Sequence, residues 1–160
     1  MDLEIVAGDV QDGNKQELRL WLRLLATTKL ISQEIRRRLR TEFGATLPQF
    51  DLLAQLYRET EGLRLGELSS RTMVTNGNVT GLVERLEGDG LVLRERLPDD
   101  KRVTVATLTP KGRDLFEAMA EAHEGWLKEI MAEVDPIVIS GLFKHMGNVK
   151  DSAQKHLSED

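Results

Sequence analysis

The sequence has 160 residues, of which 40% are hydrophobic, so it can bury a core in one compact domain or two small lobes. It contains no cysteine, which excludes disulfide bonds, thiolate metal sites and thiol-based redox sensing. The net charge of −5 argues against unspecific coating of nucleic acid, and the lack of a long apolar run or a signal-peptide pattern predicts a cytoplasmic protein with no membrane partner.

The charge is unevenly distributed along the chain. Residues 62–113 contain nine Lys and Arg against seven Asp and Glu, whereas residues 1–61 contain nine against ten and residues 114–160 contain four against ten. The middle of the chain is therefore its only positive stretch. Because the local field attracts a phosphate backbone, nucleic-acid binding is predicted in this stretch.

Helical patterns follow a tail of about a dozen residues. A long helix is predicted from Lys15 to Phe43, ending near Gly44, and Pro48 opens a second helix. A short third helix is predicted over Leu65–Met73. The long helix has an apolar stripe at helical spacing, made of Leu18, Trp21, Leu22, Leu25, Ile31, Ile35 and Leu39.

A fourth helix is predicted in the segment VTNGNVTGLVERLEGDG. Thr75 suits its N-cap, and the helix stops near Gly88–Gly90. Its apolar side is formed by Val79, Leu82, Val83 and Leu86. The opposite face carries small or polar residues, namely Gly77, Thr80, Gly81 and Glu84, and it is flanked by Asn76, Asn78 and Arg85.

After Gly90 the pattern changes from helical to alternating, and two strands joined by a charged turn at residues 97–101 are predicted. Thr109-Pro110 and Asp135-Pro136 each start a further helix. The last helix is predicted to bury Ile139, Leu142, Phe143 and Met146. The predicted fold class is mainly α with a β-hairpin wing, a winged helix-turn-helix with a helical dimerisation region.

This order of elements suits double-stranded DNA. The major groove, about 12 Å wide, admits one helix, and the free N–H groups of a helix N-terminus favour phosphate. An arginine in a hairpin tip can enter the narrower minor groove. The alternative for Asn76, Asn78 and Thr80 is a helix face that is merely solvated, and the alternative for Arg102 is an ordinary cation in a hairpin turn.

Three motifs carry a resemblance to the MarR family of bacterial regulators: LPQFDLLAQL, GELSSRTMVTNGNVTGLVERLEGDGLV and RERLPDDKRVTVATLTPKG. The resemblance is close over residues 47–119. It implies a homodimeric transcriptional regulator, a repressor, that binds a pseudo-palindromic operator. It also implies three regions: an N-terminal tail and dimerisation helix (1–46), a DNA-binding lobe (47–109) and C-terminal dimerisation helices (110–160).

The resemblance further implies that Arg102 enters the minor groove and that Asp100 orients it through a salt bridge. Gly77 and Gly81 stand where relatives often carry Ser and Arg or Lys, so base readout would use fewer side chains. The predicted DNA-binding residues are Thr75, Asn76, Gly77, Asn78, Thr80, Gly81, Arg85, Asp100, Lys101 and Arg102.

A small-molecule effector is expected in a cleft between the dimerisation helices and the winged lobe. The basic run from Arg36 to Arg40 is either a solvated face or a site for an anion, and Trp21 is either a core residue or part of an apolar pocket. The LRLWLRLL segment and the arginine run resemble regulators of hydroxycinnamate and aromatic-acid catabolism, which implies a phenolic acid or an aryl-CoA thioester. The candidate ligand-binding residues are Trp21, Leu25, Thr28, Arg36, Arg38 and Phe50.

Other functions find less support. The sequence has no phosphate loop, HExxH or GxSxG motif, so no enzyme is predicted. His123 lies near Glu121 and Glu124 without metal-ligand spacing, and no metal or other cofactor is expected. The alternative function is a winged-helix protein–protein interaction module without specific DNA binding. A salt titration on random duplex distinguishes the two, because DNA binding weakens steeply with salt.

Replacing the wing-tip arginine tests the DNA-binding prediction. Arg102→Ala should weaken operator binding by roughly 1–3 kcal/mol, because a specific groove contact would be lost. The affinity is measured by gel-shift titration. An unchanged affinity would contradict the assigned role of Arg102.

Overall fold

Six helices and three short strands form the described part of the chain. The computed structural model describes residues 15–72, 76–96 and 103–158, with the backbone alone described for residues 76–77. The chain divides after His123 into two compact units. The elements are α1 (Gln16–Phe43), α2 (Leu47–Arg58), β1 (Leu63–Arg64), α3 (Leu65–Arg71), α4 (Asn76–Gly88), β2 (Val92–Arg96), β3 (Thr104–Leu108), α5 (Pro110–Ile130) and α6 (Pro136–Leu157).

The predicted junction between the first two helices is confirmed. Gly44 adopts a left-handed conformation with φ 62°, and its N–H donates to the Arg40 carbonyl oxygen at 3.1 Å. Thr46 then caps α2, accepting from the Gln49 N–H at 3.3 Å while its own N–H donates to Gln49 Oε1 at 2.8 Å. These local hydrogen bonds satisfy backbone groups that a helix end leaves unpaired.

Glu34 holds two of the arginines of α1. Its carboxylate accepts from Arg37 Nε at 2.8 Å and from Arg38 Nε at 2.7 Å. Hydrogen bonds from Arg37, then from Arg38, lower the pKa of Glu34 from its ordinary 4.5 to about 2. Two arginines of the run thus share one acid on the same helix, whose single negative charge offsets one of their two positive charges.

The first unit contains a continuous apolar core. Each of the helices α1 to α4 buries one side in this core. The strand β2 and the helix α5 each contribute one large side chain that is fully buried. The helical spacing predicted this burial. The largest fully buried side chains are Leu39, Leu52, Leu53, Leu56, Leu68, Leu86, Met119, Val79, Val83 and Val92.

The predicted hairpin belongs to a three-stranded antiparallel sheet with the strand order β1-β3-β2. Ala106 of β3 lies opposite Arg94 of β2 on one side and opposite Leu63 of β1 on the other. The sequence analysis missed β1, because a two-residue strand has no periodicity and is defined only by its pairing with β3. The third helix ends at Arg71, whereas it was predicted to reach Met73, which lies outside the described residues.

The start of α5 is joined closely to the end of α4. The Thr109 hydroxyl caps α5 by accepting from the Gly112 N–H at 3.0 Å and donates to the Gly90 carbonyl oxygen at 2.7 Å. A Cβ atom at Gly112 would collide with the Leu91 carbonyl oxygen. Position 112 therefore requires glycine because of this close backbone approach.

An aromatic cluster joins α2 to α5. The Phe50 ring centroid lies 5.6 Å from that of Phe116 and 5.0 Å from that of His123, and the Tyr57 and Phe116 centroids are 4.8 Å apart. The Tyr57 hydroxyl donates to Glu117 Oε1 at 2.8 Å. Burial lowers the pKa of His123, which favours the neutral imidazole in this position.

The predicted apolar stripe of α1 is buried only in part. Leu22, Ile35 and Leu39 are buried, but Trp21 is 57% exposed, and Leu18 and Leu25 are exposed too. The interpretation of Trp21 as a core residue is therefore wrong for the single chain. Helical spacing shows which residues share a face, but it does not show whether the same chain covers that face.

The last helix also has apolar residues that were predicted to be buried but are exposed in the single chain. Asp135 caps α6 as predicted, its carboxylate accepting from the Ile137 N–H at 2.7 Å. Three of the four residues predicted to be buried are nevertheless exposed, with Phe143 at 84% exposure and Leu142 and Ile139 also exposed, and Met146 is half-buried. Among the described residues no helix is long and apolar enough to span a bilayer.

A substitution at Gly112 tests the close approach. Gly112→Ala should reduce the free energy of unfolding by roughly 1–3 kcal/mol, because the backbone around Leu91 must move to admit the methyl group. Gly66→Ala is the matched control, since a Cβ atom at Gly66 of α3 would meet no atom within 4 Å. Urea unfolding measures both variants. Equal midpoints for the two would contradict the packing argument.

The ion pairs of Glu34 with Arg37 and Arg38 predict a defined pH dependence of stability. Folding lowers the pKa of Glu34, so the stabilisation by these ion pairs is present above pH 4.5 and is lost as the pH falls from 4.5 to about 2. Glu34→Gln should therefore lower the urea midpoint at neutral pH and have little effect at pH 2. In a background lacking both Arg37 and Arg38, Glu34→Gln should have no pH-dependent effect. A constant difference between the wild type and the Glu34→Gln variant at every pH would contradict the pairing.

Candidate nucleic-acid interface and adjoining cleft

The orientation of α4 follows from its apolar side. Val79, Val83 and Leu86 are each almost completely buried in the first unit. With this side fixed inward, Thr80 and Gly81 are exposed on the outer part of the helix. The helix therefore presents a polar outer surface of small residues between two distinct flanks.

One flank of α4 borders a cleft of about 540 Å³, a volume within the usual range of small-molecule pockets. Helix α1 forms the opposite wall, and the beginning of α2 forms the floor. We call this site the arginine cleft. It is lined by Arg36, Arg40, Ala45, Thr46, Leu47, Pro48, Asn78, Gly81, Leu82 and Arg85.

The arginine cleft carries positive charge that has no counterpart in the described chain. Arg36 and Arg40 are four residues apart and lie on the same side of α1, and Arg85 is on α4. None of the three side chains makes an ion pair with a described residue. Guanidinium groups that are not paired with acids attract carboxylates and phosphates, so the cleft suits an anion.

The other flank of α4 contacts the wing. Arg94 of β2 donates from Nε to Glu87 Oε2 at 2.8 Å and from Nη1 to Glu84 Oε1 at 3.2 Å. The hydrogen bond from Arg94 lowers the pKa of the Glu87 carboxyl group below its ordinary value. Both acids of α4 thus lie against a guanidinium group at neutral pH.

The predicted DNA-binding residues fall into three groups. Asn78, Gly81 and Arg85 line the arginine cleft, and Thr80 is exposed on α4. Asn76 and Gly77 belong to the first turn of α4, but only their backbone is described. The remaining predicted residues lie outside the described part of the chain: Thr75, Asp100, Lys101 and Arg102.

The six predicted ligand-binding residues are not brought together. Arg36 alone of them lines the arginine cleft, whereas Arg38 binds Glu34 and Phe50 belongs to the aromatic cluster. Three others are exposed on the N-terminal half of α1: Trp21, Leu25 and Thr28. Arg40 lines the cleft too. It was not among the six, although the arginine run that contains it was named as a possible anion site and its spacing of four from Arg36 was a usable signal.

A metal site finds no support in the geometry. In the ranges 15–72, 76–96 and 103–158, no three His, Asp or Glu side chains gather as ligands of a metal ion. His123 instead packs its ring against Phe50.

The sequence comparisons agree with this geometry. The model of the MarR family matches residues 45–104. The chain is 34% identical to the transcriptional activatory protein BadR of Rhodopseudomonas palustris, in an alignment that covers 72% of the chain and 68% of BadR. It is 32% identical to the HTH-type transcriptional regulator YdgJ of Bacillus subtilis, but there the alignment covers 57% of the chain and only 55% of YdgJ.

Solved structures share the fold over most of the chain. A MarR family transcriptional regulator from Silicibacter pomeroyi is 34% identical, with a TM-score of 0.77 over 89% of this chain and 99% of that one. Sco3205 of Streptomyces coelicolor, a MarR family regulator solved in complex with DNA, is 25% identical, with a TM-score of 0.75 over 90% and 91%. The predicted winged helix fold is confirmed, and the chain belongs to the MarR family: it is a transcriptional regulator with a DNA-binding winged helix and not an enzyme.

Proposed function

We propose that α4 is the recognition helix and that the hairpin β2–β3 is the wing that accompanies it on DNA. The exposed small residues of α4 support this role, since they let the helix approach base edges closely. We assign major-groove contacts to residues 75–78, 80, 81 and 85, and minor-groove contacts to residues 100–102 of the wing. The DNA-binding lobe would comprise residues 47–109.

We propose further that the regulator acts as a homodimer in the cytoplasm. Residues 1–46 and 110–160 would form the dimerisation region, and the exposed apolar side chains of α6, such as Ile137 and Phe143, support burial against a second copy. A two-fold dimer would bind a pseudo-palindromic operator with half-sites about one helical turn, ~10 bp, apart.

The arginine cleft is the proposed effector site. Its apolar wall, formed by Leu47, Pro48 and Leu82, suits an aromatic ring, and its arginines suit a carboxylate or phosphate. We therefore propose a small aromatic acid or its CoA thioester as the effector. A phenolic acid fits within the cleft, and the longer thioester would extend from its open side.

The single observation that carries this mechanism is that the cleft is lined by the recognition helix itself. A ligand between α1 and α4 would touch Gly81 and Arg85 directly. If it binds better to a dimer whose two recognition helices miss the spacing of the DNA grooves, it shifts the dimer population away from the operator. We propose repression relieved by the ligand, although BadR is named as an activatory protein.

Removing cleft arginines tests the effector site. Arg36→Ala and Arg40→Ala should each weaken binding of a phenolic acid about tenfold or more, because each loses a charge-assisted hydrogen bond. Arg37→Ala is the matched control, since Arg37 lies on the same helix but binds Glu34. Isothermal titration measures the affinity, and a gel shift measures release of DNA.

Two results would contradict the proposed effector. The first is a lack of both heat and DNA release with phenolic acids and with their CoA thioesters. The second is an equal loss of affinity in the Arg37→Ala control, which would mean that general charge rather than the cleft attracts the ligand.

A further inference from the structure

Arg94 forms the principal polar link between the wing and α4 in the described chain. Its Nε and Nη2 atoms both donate to Glu87 Oε2, and Nη1 donates to Glu84 Oε1 at 3.2 Å. The Arg94 side chain is 26% exposed, so it is partly shielded from solvent. One guanidinium group thus spans two carboxylates that are three residues apart on the helix.

Arg94 is also well placed along the strand. It is the central residue of β2 and lies opposite Ala106 of β3, which is fully buried. The backbone at this point is therefore held by its pairing with β3. Two residues later the chain leaves β2 for the connecting segment that bears Arg102.

The two acids are unexpected on a helix that approaches DNA. Carboxylates near the phosphate backbone weaken association, because they repel it. The pairing with Arg94 offsets one of these two negative charges and, in addition, ties the helix to the strand. A planar guanidinium fork fixes geometry more closely than a single ammonium group does.

We propose that Arg94 is a positioning residue for DNA binding: it fixes the distance between the recognition helix and the wing by binding Glu84 and Glu87 together. This inference rests on the proposed function, in which α4 and the wing enter neighbouring grooves. A fixed distance favours DNA on which both elements fit at once and reduces the conformational freedom lost on binding. Arg94 therefore contributes to specificity without touching a base.

The experiment uses the full-length protein and two duplexes of equal length. One duplex is selected by the wild-type protein from a randomised library, and the other is a random-sequence pool. The test variant is Glu84→Gln with Glu87→Gln, which removes both carboxylate charges that bind Arg94 without removing Arg94 itself. Glu95→Gln is the control, because it removes an exposed acid of β2 that makes no ion pair with a described residue.

We expect the double variant to change its affinities for the selected duplex and for the random pool in different ways. The double variant should bind the random pool at least as tightly as the wild type, because two negative charges are gone, yet it should bind the selected duplex about tenfold more weakly. Hydroxyl-radical protection of the minor groove at the wing should also weaken. Glu95→Gln should change both affinities by the same factor and keep the protection.

Arg94→Lys is a second variant that keeps the charge but not the fork. It should show an intermediate ratio of selected to random affinity, since an ammonium group cannot bind both carboxylates with the same geometry. Urea midpoints for all variants should stay close to that of the wild type. This readout separates a positioning role from a general loss of structure.

Three outcomes would overturn the inference. In the double variant, the affinities for both duplexes could rise together with intact protection, which would make charge neutralisation the whole effect. Both affinities could fall equally with a lower urea midpoint, which would make the link merely structural. If the wild-type protein selects no sequence, the proposed function fails and this inference fails with it.

Discussion

The burial of Val79, Val83 and Leu86 is the constraint on which the rest of the molecule's functional surface depends. A helix with three side chains locked in a core cannot turn about its axis, so its remaining sides have fixed directions. One flank of α4 consequently faces Arg36 and Arg40 across a cleft, and the other faces Arg94 of the wing. On the proposed function, the outer surface between these flanks is the one that meets DNA.

The net charge of the chain says little about this arrangement, because pairing decides which charges act. Glu34 occupies Arg37 and Arg38, while Arg36 and Arg40 on the same helix face the cleft without an acid. Four arginines within five residues thus divide into two that share the single charge of Glu34 and two that make no ion pair with a described residue. The two acids of α4 likewise share one guanidinium group, that of Arg94. The field near α4 therefore depends on the arginines of α1 and β2 as well as on its own residues.

Local signals predicted the order of the elements well. The caps at Gly44, Thr109 and Asp135 mark helix boundaries correctly, because their hydrogen bonds involve residues only a few positions away. Three features escaped prediction: the strand β1, the exposure of Trp21 and Phe143, and most of the residues that line the cleft. Each depends on contacts between residues far apart in sequence, or on a surface that the chain does not cover by itself. The residues of the wing tip stay a prediction from the sequence.

Gly81 has a consequence for how regulators of this kind can diversify. Its missing side chain contributes to the open space of the arginine cleft, and a Cβ atom there would meet nothing within 4 Å. On the proposed function, the same position also borders the surface that meets DNA. A mutation to a long side chain would thus alter ligand response and operator choice in one step. On the proposed function, ligand response and operator choice therefore change together at this position. A new effector can be acquired without a change in DNA recognition more readily through substitutions on α1.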